Sequence, residues 1–288
     1  MKDLILKYKN AAMFMKLIYI NVAVFLILFP LTLFWSESSL FLVDGLYTAV
    51  PANLNVLLLR PWTLLTHMFT HFGVMHILMN MFMLYILGRI FEQQFGRKKM
   101  LSTYLLGGFA GAGLFILIIN MIPAWGINNI AVGASAAVMA IFVAYATYNP
   151  DQKFRLILFG EVAVKYLAIG YVLIDYLSLG GANTGGHVGH LGGALYGFLM
   201  ASQLKKGKDI NAWFERILDR ITNVFTRSKG TKGAKTNNSR GKSDEQYNYE
   251  KAQRSKRMDQ ILDKIGRGGY DSLNKDEKDF LFRNSKDL

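Results

Sequence analysis

Long apolar stretches separated by short polar connections dominate residues 1–203. A helix needs about 20 mostly apolar residues to cross a bilayer, and six stretches meet that requirement. The pattern therefore predicts an all-α fold, a polytopic membrane helical bundle of six transmembrane helices. The predicted spans are residues 17–36, 74–92, 100–122, 129–148, 163–180 and 186–203.

Positive charges between the spans indicate their orientation, since Lys and Arg accumulate in cytoplasmic loops. Residues 1–16 hold four lysines, and further basic residues gather in the second-to-third connection, at 89–99, and in the fourth-to-fifth connection, at 153–155. The three alternate connections hold one basic residue, Arg60. This bias predicts that both termini are cytoplasmic.

Two connections are apolar enough to predict structure of their own. Segment 37–73, on the outer side, is rich in aromatic and aliphatic side chains and has few charges. That composition predicts an amphipathic element in the membrane interface. On the inner side, FRLILFGEVAV at residues 154–164 predicts a short interfacial hairpin.

Charged residues are concentrated after residue 203. Residues 204–288 carry 21 Lys and Arg against 13 Asp and Glu, so +8 of the net charge of +13 lies in this tail. The domains we predict are a basic N-terminus (1–16), a six-span core (17–203), an amphipathic helix (204–226), a flexible linker (227–256) and a cytoplasmic two-helix segment (257–288).

The last of these segments has recognisable helix ends. Gly268 and Gly269 predict a break between its two helices, and Asn274 with Glu277 has the spacing of a capping box. We expect this segment to contact a cytoplasmic partner.

Composition narrows the chemistry that the chain can perform. Cysteine is absent, which excludes disulfides, a thiol nucleophile and thiolate-ligated metals. The sequence pI is about 9.7, but no base-stacking or groove-reading element accompanies the charge, so no nucleic-acid partner is expected. The expected surroundings are the lipid bilayer, and no cofactor or metal is expected.

Polar residues inside the predicted spans are costly and therefore suggest function. Ser135 lies about six residues into the fourth span, which corresponds to a depth of about 9 Å at the helical rise of 1.5 Å per residue. His190 and Asn80 lie at a comparable depth on two other spans. A serine beside a neutral imidazole can act as a nucleophile. Apart from Asp175, at the outer part of the fifth span, no carboxylate lies near His190 at that depth, so we favour a Ser135–His190 dyad over a triad.

An acyl-transfer site also needs hydrogen-bond donors for the oxyanion. The ring N–H of His76, the amide of Asn80 and the backbone N–H of Ser135 are the candidates. Small residues let transmembrane helices approach closely. Alanines surround Ser135 on the fourth span, and glycines recur on the sixth, so we expect these two spans to pack together. The glycines are Gly189, Gly193 and Gly197.

Three motifs together resemble the rhomboid intramembrane serine proteases. HFGVMHILMNMFMLYILGRIFEQQFG resembles the second span of that family, with His76, Asn80 and Glu92 at its motif positions. GAS resembles the family's Gly-x-Ser motif at Gly133 and Ser135, and GHVGHLGGALYG resembles its histidine motif.

The resemblance covers roughly residues 16–203 and implies Ser135 as nucleophile. It also implies His190, rather than His187, as the base. The expected activity is hydrolysis of peptide bonds in or near transmembrane segments of membrane proteins, in a bacterial inner membrane with the site open to the outer side. Family members commonly have glycine and an aromatic residue where this chain has Ala136 and Met139.

Two alternatives remain from the sequence. A non-catalytic rhomboid-like protein that binds membrane proteins would have the same spans. A histidine-ligated membrane metalloenzyme could use the spaced pairs His67 with His71 and His187 with His190. Outside such a site, these extra histidines are expected to be interfacial or structural, and Glu92 is expected to be an acceptor that ties the second span to a neighbouring loop.

Overall fold

The computed structural model describes residues 8, 10–34, 48–126, 129–156, 160–181, 183–227, 257–258, 260–266 and 268–284. The chain divides into two compact units, Met1–Ser228 and Lys229–Leu288. Helices predominate in both. The predicted all-α membrane bundle is confirmed for the first unit.

A helix is present at each of the six predicted spans. The two spans predicted at 74–92 and 100–122 form one long helix that is broken at Gly96, where φ is +82° and the backbone leaves the helical conformation. The helices are α1 (Met13–Phe34), α4 (Val74–Met121), α5 (Ser135–Tyr148), α6 (Val164–Leu177) and α7 (Thr184–Lys205).

By length and composition, two helices of the described residues are long and apolar enough to cross a membrane. They are α1, over Met13–Pro30, and α4. In α4 the two arms on either side of Gly96 correspond to the second and third predicted spans. At a rise of 1.5 Å per residue, the 14 residues of α5 and of α6 each extend about 21 Å.

Segment 37–73, named the outer segment after its predicted side, contains short elements beside the bundle. Within its described residues, helices α2 (Leu54–Leu59) and α3 (Thr63–Thr66) precede a 3₁₀ turn, His67–Phe69. Strand β1 (Val50–Pro51) pairs antiparallel with β2 (Ile130–Ala131). The outer segment is thereby joined to the backbone just before α5.

The hairpin predicted within residues 154–164 is confirmed. Strands β3 (Lys153–Leu156) and β4 (Gly160–Ala163) pair antiparallel, with Lys153 opposite Ala163 and Leu156 opposite Gly160. This hairpin connects α5 to α6.

The start of the fourth span differs from the prediction. Residues 130–131 form β2 and Gly133 adopts φ +117°, so helix α5 begins at Ser135 itself. The expectation that Ser135 lies six residues inside a helix is wrong, because the left-handed conformation of Gly133 interrupts the backbone just before it. Ser135 therefore occupies a helix N-terminus.

Helices α5 and α7 pack with their backbones in close approach. A Cβ placed on Gly193 would lie 2.0 Å from the carbonyl oxygen of Ala136, and one on Gly197 would lie 2.2 Å from that of Ala140. These two glycines confirm the expected seam between the fourth and sixth spans. The expectation that Gly189 lies at the same seam is wrong, since the atom nearest to a Cβ placed on Gly189 is the carbonyl oxygen of Gly111 on α4.

Glu92 accepts hydrogen bonds at the start of helix α1. The backbone N–H groups of Met13 and Phe14 donate to its two carboxylate oxygens at 2.9 and 2.8 Å. The predicted acceptor role is confirmed, and its partner is the positive end of a helix. Arg97 also contacts this carboxylate, at 3.5 Å.

An amphipathic helix follows the bundle, and it begins later than predicted, as α8 over Ala212–Arg227. Its first turn and the preceding residues form a buried polar cluster with the second arm of α4. Lys99 contacts Asp209 at 2.5 Å and Glu215 at 2.9 Å, and Ser102 donates to Glu215 at 2.8 Å. Asn211 is fully buried and donates to Ser102 at 2.9 Å.

The second unit contains a helix at residues 260–266 (α9) and α10, Lys275–Asn284. Gly269, with φ +72°, lies between them. The predicted capping box is confirmed, because Asn274 and Glu277 each donate a backbone N–H to the other's side chain at 2.8 Å. Most of the predicted linker lies outside the described residues.

Candidate active site

One cavity of about 240 Å³ brings together the residues that the sequence analysis selected from three spans. Ser135 enters it from the start of α5, His190 from α7, and His76 with Asn80 from the first arm of α4. Apolar and aromatic side chains form the rest of the wall. They include Met79, Met83, Leu87, Val138, Met139, Phe142 and Tyr171.

The backbone before Ser135 is held by the outer segment. The N–H of Gly133 donates to the carbonyl oxygen of His67 at 2.8 Å. The N–H of Ala134 donates to the Nε2 atom of His71 at 3.4 Å. Together with the β1–β2 pairing, these bonds fix the position at which α5 begins.

His76 packs directly against Gly133. A Cβ on Gly133 would lie 2.7 Å from the Nε2 atom of His76 and 3.6 Å from the Oγ atom of Ser135. Glycine is therefore required here both by its φ of +117° and by the imidazole beside it. The motif that the sequence suggested as Gly-x-Ser has this physical basis.

Asn80 lies one turn below His76 on the same helix. Its Nδ2 group donates to the carbonyl oxygen of His76 at 2.9 Å. The side-chain amide nitrogen carries a second hydrogen, and Asn80 also lines the cavity. His76 and Asn80 thus present nitrogen atoms to the cavity from α4.

The structure places Asp175, the one carboxylate that the sequence analysis considered, in contact with His190. The Oδ1 atom of Asp175, on α6, lies 3.0 Å from the Nδ1 atom of His190 and 2.7 Å from the Nδ1 atom of His187. Counting residues along each span gives the depth of a side chain but not its neighbours. The contact depends on the position of α6 beside α7, which is set by tertiary packing. A carboxylate within an otherwise apolar helix was the available signal.

Of the two histidine pairs that the metal hypothesis would use, His187 and His190 come together at Asp175, whereas His67 and His71 do not share a helix face. His67 donates from Nδ1 to the carbonyl oxygen of Thr63 at 2.9 Å, and His71 lies beyond the end of the 3₁₀ turn rather than on the same helix face. Burial lowers the pKa of His67 to about 4, against weaker opposing effects of backbone hydrogen bonds. Burial, with the charge of His76, lowers the pKa of His71 to about 3.

The chain matches two known families. A family model described as the Rhomboid domain matches residues 59–206, half of the chain. A second model, described as a family of unknown function (DUF6576), matches residues 242–287. The first match includes every residue of the cavity described above, and the second lies in the tail.

Individual relatives are similar over the same region. The chain is 31% identical over 187 residues to Rhomboid-like protease 3 of Toxoplasma gondii, which covers 62% of this chain and 64% of the relative. It is 30% identical over 139 residues to RHOMBOID-like protein 6, mitochondrial, of Arabidopsis thaliana, covering 48% of this chain and 42% of the relative. The chain thus spans less than half the length of that relative.

Proposed function

Because the chain belongs to the rhomboid family, we propose that it is an intramembrane serine endopeptidase that uses Ser135 as nucleophile and His190 as base. The observation that carries this proposal is the single cavity that Ser135, His190, His76 and Asn80 line together from three helices. Its substrates would be membrane proteins, cut in or near their transmembrane segments.

The chemistry follows from these positions. The Oγ atom of Ser135 attacks the carbonyl carbon of the scissile bond while its proton passes to Nε2 of His190. The tetrahedral intermediate collapses, the C–N bond breaks, and His190 returns the proton to the leaving amine. A water molecule then attacks the acyl-serine ester by the same route, which releases the acid and restores Ser135.

Helices α5 and α4 both supply donors for the oxyanion. Ser135 is the first residue of α5, so its backbone N–H has no partner within the helix and lies at the positive end of the helix dipole. His76 and Asn80 supply side-chain donors from α4. Removal of one oxyanion donor typically costs about 10² to 10³ in kcat.

Helix α6 is the proposed gate for the substrate. Of its 14 residues, Val164, Ala168 and Asp175 are buried. An apolar groove of about 660 Å³ also separates part of it from α5 and α7. A substrate helix must unwind locally to present an extended bond, which favours helix-destabilising residues near the cut. The proposed location is a bacterial inner membrane, with cytoplasmic termini and cleavage at the outer side.

Cleavage of a single-span reporter protein in liposomes tests the proposal. Wild type should cut the reporter, whereas Ser135→Ala and His190→Ala should lose at least about 10³-fold in kcat. A fluorophosphonate should label wild type and Ser178→Ala, a variant of the half-buried serine that follows α6, but not Ser135→Ala. A chelator should leave cleavage unchanged.

Three outcomes would overturn the assignment. If Ser135→Ala and His190→Ala cut as well as wild type, these residues do not perform the chemistry. If wild type binds the reporter, resists labelling and cuts nothing, the chain is a non-catalytic binder of membrane proteins. Loss of cleavage on chelation would instead support the metalloenzyme.

A further inference from the structure

We infer that Asp175 is a positioning residue for His190, and that His187 holds Asp175 in place for that role. This inference rests on the proposed function, because it assigns a role to a contact of the proposed base. It changes the expected dyad into a relay of three side chains in which the carboxylate comes from α6, the proposed gate.

The two imidazoles share one carboxylate oxygen. Oδ1 of Asp175 lies 2.7 Å from Nδ1 of His187 and 3.0 Å from Nδ1 of His190. A carboxylate oxygen can only accept, so each Nδ1 atom must carry the hydrogen. In neutral His190 this leaves Nε2 unprotonated, which is the tautomer that can take the proton of Ser135.

The burial of Asp175 makes its contacts with the two histidines important. Asp175 is 2% exposed, and its Oδ2 atom has no hydrogen-bond partner among the described residues. A buried carboxylate is stabilised only by close donors or cations, and the two histidines are the donors seen here. When His190 takes the proton of Ser135, it becomes a cation beside this carboxylate, so the contact strengthens as the reaction proceeds.

A metal ion explains the cluster less well. The ligand atoms of Asp175, His187 and His190 lie within 4.8 Å of one another. Zinc with ligands at about 2.0–2.2 Å in tetrahedral geometry holds its ligand atoms roughly 3.4 Å apart. The observed separations of 2.7 and 3.0 Å from the shared oxygen are hydrogen-bond lengths instead.

His187 also fits a supporting role better than a second catalytic one. It lies one helical turn before His190, with its ring at 86° to that of His190 and the centroids 6.0 Å apart. It is not among the residues that line the cavity of Ser135. Its contact with Asp175 is the shorter of the two, so it restrains the carboxylate that His190 contacts.

The test measures kcat and KM of the full-length protein in liposomes for four variants at the cluster. They are Asp175→Asn, Asp175→Ala, Asp175→Glu and His187→Leu. Asp151→Asn is the matched control, because Asp151 is an exposed aspartate paired with Lys165 after α5. Thermal unfolding and fluorophosphonate labelling of Ser135 are measured for every variant, and ¹⁵N spectra of labelled histidine report the tautomer of His190.

We expect Asp175→Asn to lower kcat by roughly 10² to 10⁴-fold with little change in KM, because an amide can donate to Nδ1 and select the wrong tautomer. Asp175→Glu should recover part of the loss. His187→Leu should lower kcat by less than Asp175→Asn. Asp151→Asn should match wild type. The ¹⁵N signal of His190 should change from the Nδ1–H form in wild type to another form in Asp175→Asn.

The inference is overturned if Asp175→Asn retains the kcat and the His190 tautomer of wild type while Ser135→Ala is inactive. It is also overturned if all Asp175 variants lose kcat only in proportion to lost folded protein, since a purely structural residue would behave in that way. If Ser135→Ala cuts as well as wild type, the proposed function itself fails, and the two failures are thereby distinguished.

Discussion

Gly133 illustrates how one residue determines the geometry of the proposed site. Its φ of +117° lets the chain leave β2 and begin α5 at Ser135, and the absence of a side chain lets the imidazole of His76 approach. A residue with a Cβ would be disfavoured by this φ and would also collide with the imidazole of His76. The Gly-x-Ser pattern is thus explained by backbone conformation and by the packing of a neighbouring span.

Replacement of Gly133 by alanine should therefore impair both folding and catalysis. The left-handed backbone costs roughly 1–2 kcal/mol for alanine, and the new methyl group must displace the ring of His76. We expect kcat to fall at least about tenfold, since the ring is a proposed oxyanion donor. Reporter cleavage and unfolding in detergent measure the two effects.

Gly113→Ala is the matched control, because Gly113 lies on α4 with nothing within 4 Å of its Cβ position. It should be neutral or slightly stabilising, as alanine favours helix. Equal activity of Gly133→Ala and wild type would show that the ring of His76 does not need this approach.

At the scale of elements, helix α1 is held to α4 by a side chain that caps its first turn. The carboxylate of Glu92 accepts from two N–H groups that have no partner within α1, and its charge faces the positive end of that helix. The sequence indicated an acceptor here. It did not indicate the partner, because capping of one helix by another depends on their packing.

Glu92→Ala should lower the free energy of unfolding by about 1–3 kcal/mol, because two N–H groups at a partly buried helix start lose their acceptor. Glu92→Gln should lose less, since one carbonyl oxygen remains. Unfolding in mixed micelles measures both variants. Glu161→Ala is the control, as Glu161 forms an exposed pair with Lys153 and should change stability by less than about 0.5 kcal/mol. Equal losses in Glu92→Ala and Glu161→Ala would contradict the capping role.

At the scale of the whole molecule, the apolar periodicity predicted the order and approximate position of the spans, because membrane helices must be long and apolar whatever they pack against. It placed the start of the fourth span wrongly, at 129, since a strand pair and Gly133 stop the helix before Ser135. It also missed the contact of Asp175 with His190, which arises from the approach of α6 to α7. Features that depend on two elements meeting are not encoded in the periodicity of either one.

The division of the chain into two compact units predicts where it can be shortened. Every residue of the proposed site and every contact of α8 described above lies within Met1–Ser228. Removal of residues 229–288 should therefore leave kcat for the reporter within about twofold and leave unfolding of the core unchanged, a comparison made in liposomes and in detergent. Removal of residues 208–288 differs, because it also takes Asp209 and Glu215 away from Lys99, which is 8% exposed.

An ammonium group left buried without its carboxylates costs about 3–5 kcal/mol, so the shorter chain should unfold more readily by that amount. Lys99→Met in the shorter chain is the decisive control. Methionine fills similar space without a charge, and it should restore much of the lost stability. If it restores none, the loss comes from the missing apolar contacts of α8 rather than from the unpaired lysine.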